Sequence, residues 1–433
     1  MERDLMAELV AWKSKVRRKP LILNGARQVG KTWLLREFGR TQFEKTAYVS
    51  LDNNTAARNL FEGDFDTARI IGGLSVLSGI AIEPGNTLII LDEIQAAPKA
   101  ITALKYFCEN APEYAVAAAG SLLGLSAHEG SGFPVGKVQT LDLYPLSFQE
   151  YLSATGNGAL RTLLESRDTQ AITDFAPKAV PLLRQYYVIG GMPGVVDDFL
   201  DGNDYEAARQ TQVQILEDYT RDFVKHASVR LYPRMMEVWE SIPAHLSHEN
   251  KRFIFGHVRQ GARAKDFEEA LTWLAQAGLI TKVPRVSKPG VPLSAYVDGS
   301  AFKVFLLDVG LLGAMSGLDV ASVMNGNAVF EEFKGALTEQ YVCQQLVSAC
   351  GLRPYYWSAD NSSGEIDFLV QRSSKIVAVE VKAEENLRAK SLRAFTLKHP
   401  QVAALRFSLS GYREQDWMRN IPLYACSNMQ LWG

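Results

Sequence analysis

The feature that most constrains this chain is a glycine-bounded loop near its amino end. The segment at 21–35 reads LILNGARQVGKTWLL, in which an apolar strand leads into a loop and the loop leads into an apolar helical start. Gly25, Gly30, Lys31 and Thr32 fit the pattern G-x-x-x-x-G-K-[ST]. The two glycines let successive backbone N–H groups curl around a phosphate, and the positive end of the following helix dipole faces the same point. The segment therefore predicts a phosphate-binding loop, and the simplest alternative is an ordinary glycine-containing turn.

Two side chains of the loop have expected chemical roles. Lys31 would reach the β- and γ-phosphates of a nucleoside triphosphate, and the Thr32 hydroxyl would bind Mg²⁺. The backbone and the first helical turn would supply the remaining contacts. The residues predicted to contact the nucleotide are Gly25, Ala26, Arg27, Gln28, Val29, Gly30, Lys31, Thr32 and Trp33.

A second motif lies at the end of a predicted buried strand. Residues 87–91 form a continuous apolar run that ends in Asp92 and Glu93. Asp92 is expected to hold Mg²⁺, directly or through water, and Glu93 to orient or deprotonate an attacking water. Capping of the helix that begins near Pro98 is the alternative for these acids. After the next strand, at 114–119, Ser121 is either a contact of the γ-phosphate or a turn residue.

Composition limits the classes of protein to consider. A chain of 433 residues is too long for one ordinary core, so two to four domains are expected. The net charge of −2 gives no overall attraction to nucleic acid or membrane, and no apolar run approaches the ~18 residues of a membrane helix. The four cysteines are scattered without C-x-x-C spacing, which predicts free thiols and a cytoplasmic location.

Six segments together resemble the AAA-type ATPases of the archaeal-ATPase-like group of P-loop proteins. They are GARQVGKT, LIILDEIQ, AAAGSLLG, GSGFPVGKV, LYPLSFQEYL and IGGMP, and they follow the order of that family. The resemblance implies a helical lid over the nucleotide at 153–229. It also implies a C-terminal domain with a restriction-endonuclease-like fold, whose function is unknown. The cellular role is left open.

The segment at 230–329 predicts a winged-helix module. Amphipathic helices are expected at 232–247 and 266–280, followed by a β-ribbon at 282–305 that is interrupted by KPGVP. Basic residues outnumber acids here, which indicates either phosphate contacts to duplex DNA or a solvated surface on a module that contacts protein. The basic residues are Lys251, Arg252, Arg259, Arg263, Lys265, Lys282, Arg285 and Lys288, and the acids are Asp266, Glu268 and Glu269.

A group of carboxylates marks the C-terminal segment. Glu380 and Lys382 end a predicted strand and, because side chains alternate, project from one face. Asp367, at the start of the preceding strand, is expected to lie beside them. Asp367 and Glu380 would then share Mg²⁺ or Mn²⁺ with the Val381 carbonyl, while Lys382 positions water.

The order of Glu339, Asp367 and Glu380-x-Lys382 is similar to that of the PD-(D/E)XK nucleases, and Glu339 is an added metal ligand on that basis. Ile366 stands where the motif has proline. The alternative is a salt bridge between Glu380 and Lys382 on an inactive version of the fold.

These patterns and the family resemblance together predict an α/β protein in which a P-loop NTPase parallel sheet is joined to a helical lid, a winged-helix module and a C-terminal PD-(D/E)XK-like α/β domain. The predicted boundaries are 1–152, 153–229, 230–329 and 330–433. The expected function is an ATPase that uses ATP and Mg²⁺ and acts with a nucleic-acid-binding, metal-dependent nuclease domain, with DNA preferred over RNA and no membrane contact. A nucleotide-controlled binding switch with an inactive nuclease-like scaffold and an RNA-directed enzyme are the alternatives, and a homo-oligomer is left open.

Overall fold

The chain folds into two compact units. The computed structural model describes all residues except 121–132, 249–250, 326–327, 360–363 and 386–388. The side chains of 226, 325 and 328–332 are also outside the description. The N-terminal unit comprises residues 2–144 with 276–278, and the C-terminal unit comprises residue 1, 145–275 and 279–433. Among the described helices, none is long and apolar enough to cross a membrane.

The N-terminal unit is a parallel sheet with covering helices. Its five strands lie in the order β2-β3-β4-β1-β5, and every neighbouring pair is parallel. The strands are β1 (Leu21–Asn24), β2 (Lys45–Ser50), β3 (Thr87–Asp92), β4 (Ala115–Ala119) and β5 (Gln139–Asp142). The helices are α1 (Leu5–Lys13), α2 (Lys31–Gln42), α3 (Thr55–Asn59), α4 (Thr67–Ser78) and α5 (Pro98–Asn110).

The two central strands, β3 and β4, are buried along their whole length. Their side chains alternate between the two faces, so both faces must be covered, which explains the continuous apolar run of β3. On one face, Ile89 and Leu91 join a core cluster with Leu104 and Phe107 of α5. Each such side chain contributes roughly 1.5–3 kcal/mol on burial. This core fixes the carboxyl end of β3, where Asp92 lies.

The C-terminal unit begins with six helices in the region predicted to be helical. They are α6 (Phe148–Ala154), α7 (Gly158–Leu164), α8 (Thr169–Asp174), α9 (Ala176–Ile189), α10 (Pro193–Gly202) and α11 (Tyr205–His226). A reciprocal cap starts α6: the Glu150 N–H donates to the Ser147 hydroxyl at 3.2 Å, and the Ser147 N–H donates to the Glu150 carboxylate at 2.9 Å.

The next elements follow the predicted order of helices and hairpin. They are α12 (Tyr232–Ser247), α13 (Phe255–Val258), α14 (Ala264–Gln276), β6 (Ile280–Val286) and β7 (Val297–Leu306). The last helix ends at Gln276 rather than at residue 280, because Gly278 has a φ of +72° and turns the chain into β6. Strands β6 and β7 are antiparallel, and the Phe253 N–H donates to the Phe302 carbonyl at 2.8 Å.

The remaining elements complete an eight-stranded sheet in the order β12-β13-β11-β10-β9-β8-β6-β7. The strands are β8 (Tyr355–Ser358), β9 (Glu365–Arg372), β10 (Lys375–Val381), β11 (Ala403–Ser408), β12 (Arg413–Gln415) and β13 (Met418–Pro422), and the helices are α15 (Val309–Met315), α16 (Val320–Asn325), α17 (Ala328–Ser348) and α18 (Lys390–Lys398). The hairpin and the C-terminal strands therefore share one sheet, joined by the parallel pairing of β6 with β8. The boundary at 329/330 stays a prediction.

The middle of helix α17, residues 336–346, is buried although it carries several polar residues. The side chain of Gln340 accepts a hydrogen bond from the Leu306 N–H at 2.8 Å and donates one to the Leu306 carbonyl at 2.6 Å. Gln344 accepts a hydrogen bond from the Val309 N–H at 2.9 Å, and Gln345 accepts one from the Phe148 N–H at 3.0 Å. The glutamines thus satisfy backbone groups of β7, α15 and α6 that would be costly to bury unpaired.

Candidate nucleotide site and carboxylate cluster

The phosphate-binding pattern folds as a loop between β1 and α2. Gly30 precedes α2 with a φ of +94°, a conformation that glycine adopts without strain. At Gly25 a Cβ atom would lie 2.4 Å from the Leu143 carbonyl oxygen, so only glycine fits there without a shift. The two glycines of the pattern are therefore required by the shape of the loop.

Lys31 begins α2 and folds back over the loop. Its Nζ donates to the carbonyls of Gly25 at 2.8 Å and Ala26 at 2.7 Å, and the side chain is 8% exposed. Burial lowers the pKa of Lys31 to about 8, an effect that the nearby carboxylates of Glu93 and Asp92 partly oppose. Among the described residues, the hydrogen-bond partners of this buried ammonium are neutral carbonyls, which suits it to an anionic partner such as a phosphate.

Asp92 lies at the carboxyl end of β3 and accepts three hydrogen bonds. The Thr32 hydroxyl and the Tyr48 hydroxyl each donate to Oδ2 at 2.8 Å. The backbone N–H of Glu93 donates to Oδ1 at 3.1 Å. The structure thus brings Lys31, Thr32 and Asp92 together at one edge of the sheet, as the motifs predict.

Glu93 follows immediately with a φ of +53°, an unusual conformation for a residue other than glycine. Its carboxylate accepts a hydrogen bond from the Gln95 side-chain amide. Gln95 therefore contacts the predicted general base. Strained residues cluster at functional sites, which is consistent with the role predicted for Glu93.

The other predicted contacts are placed less uniformly. Ala26 and Val29 are buried in the loop, and Gln28 has a φ of +66°. Trp33, on the first turn of α2, is 45% exposed. Arg27 flanks the site and lowers the pKa of Lys31. Ser121 lies outside the described residues, so its role stays a prediction.

Sequence reasoning missed Tyr48. This residue lies on β2, where Ser50 is the register partner of Asp92 and Tyr48 is the partner of Ile90. A long side chain at that position reaches the end of the neighbouring strand. The available signal was a polar-tipped aromatic near the carboxyl end of another strand of the same parallel sheet.

In the C-terminal unit, Glu339 is held by two lysines. Lys251 Nζ lies 2.7 Å from its Oε1, and Lys303 Nζ lies 3.6 Å from its Oε2. Burial alone would raise the pKa of Glu339, but Lys251 and Lys303 outweigh burial and lower it. Lys303 is 1% exposed and also pairs with Glu365 at 2.5 Å. The carboxylate of Glu339 is therefore ionised and neutralised from within the protein.

Asp367 lies on β9 where the pairing with β8 shifts register. Its Oδ2 accepts the Val381 N–H at 2.7 Å, so the side chain replaces a regular contact between strands. Burial, and then repulsion from Glu339, raise the pKa of Asp367 to about 7. Asp367 and Glu339 are thus neighbouring carboxyl groups with opposite pKa shifts.

Glu380 and Lys382 form an ion pair of 2.9 Å. Burial lowers the pKa of Lys382, but Glu380, followed by Asp367 and Glu339, outweighs burial and raises it. The four predicted residues are therefore neighbours. Oε2 of Glu380 and Oε2 of Glu339 are buried and accept no hydrogen bond from a described residue, although Lys303 Nζ lies 3.6 Å from the second of them.

The carboxylates that are predicted to bind a metal contact other groups of the protein in the structure. In the part of the chain that the structure describes, no group of three or more His, Cys, Asp or Glu side chains is placed to hold a metal ion. The predicted ligands Asp367, Glu380 and Glu339 instead contact backbone N–H groups and lysines. The metal site at these residues stays a prediction.

Several basic residues of the segment at 251–288 have partners within the protein. Arg259 pairs with Glu237 at 3.2 Å, and Arg285 pairs with Asp298 at 3.6 Å. The ammonium groups of Lys282 and Lys288 lie 4.1 Å and 4.5 Å from the ring centres of Phe302 and Tyr296. Together with Lys251 on Glu339, these contacts reduce the charge excess that the sequence suggests.

Three segments of the chain match known domain families. Residues 17–152 match the AAA domain family. The match contains the loop, α2 and β3, so the N-terminal unit carries an AAA-type P-loop domain. Two further segments, 180–322 and 334–426, match domains of unknown function, DUF8612 and DUF4143. The comparison with curated proteins gave no match.

Solved structures of archaeal ATPases resemble much of the chain at low identity. The Walker-type ATPase of Pyrococcus abyssi is 12% identical, with 72% of this chain and 95% of that chain covered and a TM-score of 0.46. The Aeropyrum pernix ORC2 protein in its ADPNP–ADP complexes is 14% identical, covering 75% and 95%, with a TM-score of 0.36. The ORC1 protein of the same organism, solved with DNA, is 14% identical, covering 73% and 93%, with a TM-score of 0.31. All three TM-scores lie below 0.5, which is too low to carry an argument about function.

Proposed function

We propose that the AAA domain binds ATP with Mg²⁺ and hydrolyses it. The observation that carries this proposal is the convergence of Lys31, Thr32 and Asp92 at the carboxyl edge of a parallel sheet, within a match to the AAA family. Ligands bind at that edge in open α/β sheets. Lys31 releases the loop carbonyls and binds the β- and γ-phosphates, which replace its weak neutral partners with anions.

Thr32 and Asp92 fit a divalent cation. The Thr32 hydroxyl donates its proton to Asp92, so its oxygen lone pairs are free for a metal. Hydroxyl and carboxylate oxygens are the ligands that Mg²⁺ prefers. The cation would neutralise charge on the phosphates, and Asp92 would hold it through Thr32 or through water.

Glu93 is the proposed general base. It follows Asp92 directly, and its carboxylate is held by Gln95. For hydrolysis, Glu93 accepts a proton from the attacking water, and Gln95 fixes the carboxylate until then. A carboxylate in this position is a better proton acceptor than the amide of a glutamine, which cannot take the proton.

ATP turnover of matched variants tests the ATPase proposal. Lys31→Ala and Glu93→Gln should each lower turnover by about 100-fold or more, because one removes phosphate contacts and the other removes the base. Glu93→Gln should keep nucleotide binding. Lys45→Ala and Glu83→Gln, which break an exposed ion pair of 2.8 Å in the same unit, are the controls. Undiminished turnover in both site variants would contradict the proposal.

Two roles are proposed for the carboxylate cluster of the C-terminal unit. A metal-dependent nuclease, with Mg²⁺ or Mn²⁺ on Asp367, Glu380 and Glu339, is supported by the two buried carboxylate oxygens that accept no hydrogen bond from the described residues. A nucleotide-controlled binding switch with an inactive scaffold is supported by the two lysines that neutralise Glu339. The second role is favoured, because Lys382 also pairs with Glu380 at 2.9 Å within the cluster.

Cleavage assays separate these roles. The full-length protein is incubated with Mn²⁺ and either plasmid DNA or structured RNA, alongside Asp367→Ala and Lys382→Ala. Lys375→Ala, at the exposed start of β10, is the control for the second variant. Equal traces of cleavage in all four proteins support the scaffold role, whereas cleavage lost only in the two cluster variants supports the nuclease. A preference for RNA at matched salt would replace DNA as the proposed partner.

Location in the cytoplasm and assembly into a homo-oligomer are further parts of the proposal. Localisation of a tagged full-length chain and its mass in solution with and without ATP test them. Nucleotide-dependent assembly would support a site completed by a second copy.

A further inference from the structure

A phenol hydroxyl from the neighbouring strand contacts the metal-site aspartate. Tyr48 lies two residues before the end of β2, and its hydroxyl donates to Asp92 Oδ2 at 2.8 Å. The same oxygen accepts the proton of the Thr32 hydroxyl at 2.8 Å. Neither half of the ATP motif contains this residue. Tyr48 nevertheless completes the hydrogen bonding of Asp92.

The direction of these hydrogen bonds determines which lone pairs are available. Each hydroxyl has one proton, and both protons point to Asp92. The lone pairs of Thr32 and Tyr48 therefore face away from the carboxylate. The N–H of Glu93 holds the other carboxylate oxygen at 3.1 Å. With three donors around it, Asp92 has a single preferred orientation, which a metal site requires of its acidic residue.

Tyr48 is itself held in place. The guanidinium carbon of Arg36 on α2 lies 3.8 Å from the centre of its ring. A phenol is protonated at neutral pH, so the Tyr48 hydroxyl has a proton to donate to Asp92. The ring is thus fixed between β2 and the helix that also carries Thr32.

We propose that Tyr48 is a positioning residue for the divalent cation of the nucleotide site. It orients Asp92 and, through the shared carboxylate oxygen, the Thr32 hydroxyl, so that the oxygen of Thr32 faces the cation. Its effect is on the affinity for Mg²⁺ rather than on the contact with the phosphates. The proposal rests on binding of ATP at the loop but not on hydrolysis.

The test is the Mg²⁺ dependence of nucleotide binding by full-length Tyr48→Phe. This variant keeps the ring and its contact with Arg36 and removes only the hydroxyl. Tyr114→Phe is the matched control, because Tyr114 lies just before β4, at the opposite end of the sheet. Fluorescence anisotropy of a labelled ATP analogue is recorded in EDTA and over a MgCl₂ titration, and thermal unfolding shows whether each variant is folded.

Tyr48→Phe should change the Mg²⁺ dependence of nucleotide binding but not binding in the absence of Mg²⁺. In EDTA, Tyr48→Phe should bind the analogue with an affinity within about twofold of the wild type. The Mg²⁺ concentration that gives half of the maximal enhancement of binding should rise about tenfold, which is the lower end of the range for loss of a residue that orients a metal ligand. Tyr114→Phe should match the wild type in both conditions.

Two results would overturn the proposal. The first is an unchanged Mg²⁺ dependence in Tyr48→Phe. The second is an equal loss of affinity with and without Mg²⁺, which would make the hydroxyl a general structural contact. A wild type that binds ATP without hydrolysing it contradicts only the ATPase proposal, whereas a wild type that binds no nucleotide contradicts both.

Discussion

Replacing Asp367 by asparagine should change how the stability of the protein depends on pH. Burial and the Glu339 carboxylate raise the pKa of Asp367 to about 7. Near neutral pH, Asp367 therefore holds its proton in a large fraction of folded molecules. Glu339 is ionised, because Lys251 and Lys303 lower its pKa by more than burial raises it. Asparagine has the same shape, is neutral at all pH values and keeps an oxygen that can accept the Val381 N–H.

The sign and size of the effect follow from proton linkage. An aspartate in the unfolded chain has a pKa of about 3.9, so between about pH 4 and pH 7 the folded protein binds more protons at this site than the unfolded chain. The stability contributed by protonated Asp367 is complete below about pH 4 and is lost as the pH rises through about 7. A difference of about three units corresponds to at most about 4 kcal/mol, and partial exposure of the side chain reduces this to about 2 kcal/mol.

Urea unfolding of the full-length protein at pH 5 and pH 8 measures this difference. Hydrogen exchange of peptides from β9 and β10 reports the same change locally. Asp367→Asn should be more stable than the wild type at pH 8 by about 2 kcal/mol and nearly equal to it at low pH. Asp416→Asn, at an exposed position, is the control. An unchanged pH slope in Asp367→Asn, or lower stability at pH 8, would refute the reasoning.

Two further predictions concern other buried contacts. Lys303→Met should lower the free energy of unfolding by about 3–5 kcal/mol, because Glu365 and one oxygen of Glu339 lose the ammonium group that neutralises them. Adding Glu365→Gln to this variant should restore part of the lost stability. A loss below about 1 kcal/mol in thermal or urea unfolding would contradict the prediction. Gly25→Ala should weaken nucleotide binding at least tenfold, because its Cβ would lie 2.4 Å from the Leu143 carbonyl oxygen. Gly72→Ala on α4, where a Cβ meets open space, is the control, and equal affinity of the two variants in anisotropy titrations would count against the loop geometry.

The sequence predicts the strand–loop–helix geometry around Gly30 well because its signals are local. Gly30, Lys31 and Thr32 are adjacent in the chain, and a strand before and a helix after them fix their geometry. Asp92 needed one further step, the rule that parallel strands end at the same edge of a sheet. Tyr48 was missed because its role depends on the length of its side chain and on the register between β2 and β3, which no local pattern states.

The C-terminal unit shows what local patterns leave out. The helices before the hairpin and the strands that carry Asp367 and Glu380 are predicted. The joining of β6 to β8 is not, because strand pairing between distant segments depends on the whole packed structure. The hairpin β12–β13 was also absent from the prediction. The count of basic residues at 251–288 likewise does not show which of them pair with acids of the same protein. Lys251 adds to that count but lies against a buried carboxylate rather than a surface available to phosphate.

The position of Lys251 connects two parts of the C-terminal unit electrostatically. Lys251 comes just after α12, whereas its partner Glu339 lies on α17. The charge of Glu339 raises the pKa of Asp367, so the protonation of Asp367 depends on how well Lys251 and Lys303 neutralise Glu339. Withdrawal of Lys251 would leave Glu339 less neutralised and Asp367 more strongly protonated. A nuclease would need that pair of carboxylates free for a cation, whereas a binding switch needs only that the ion pair form or break. The same contact therefore explains how a movement of Lys251 would reach Asp367 on β9.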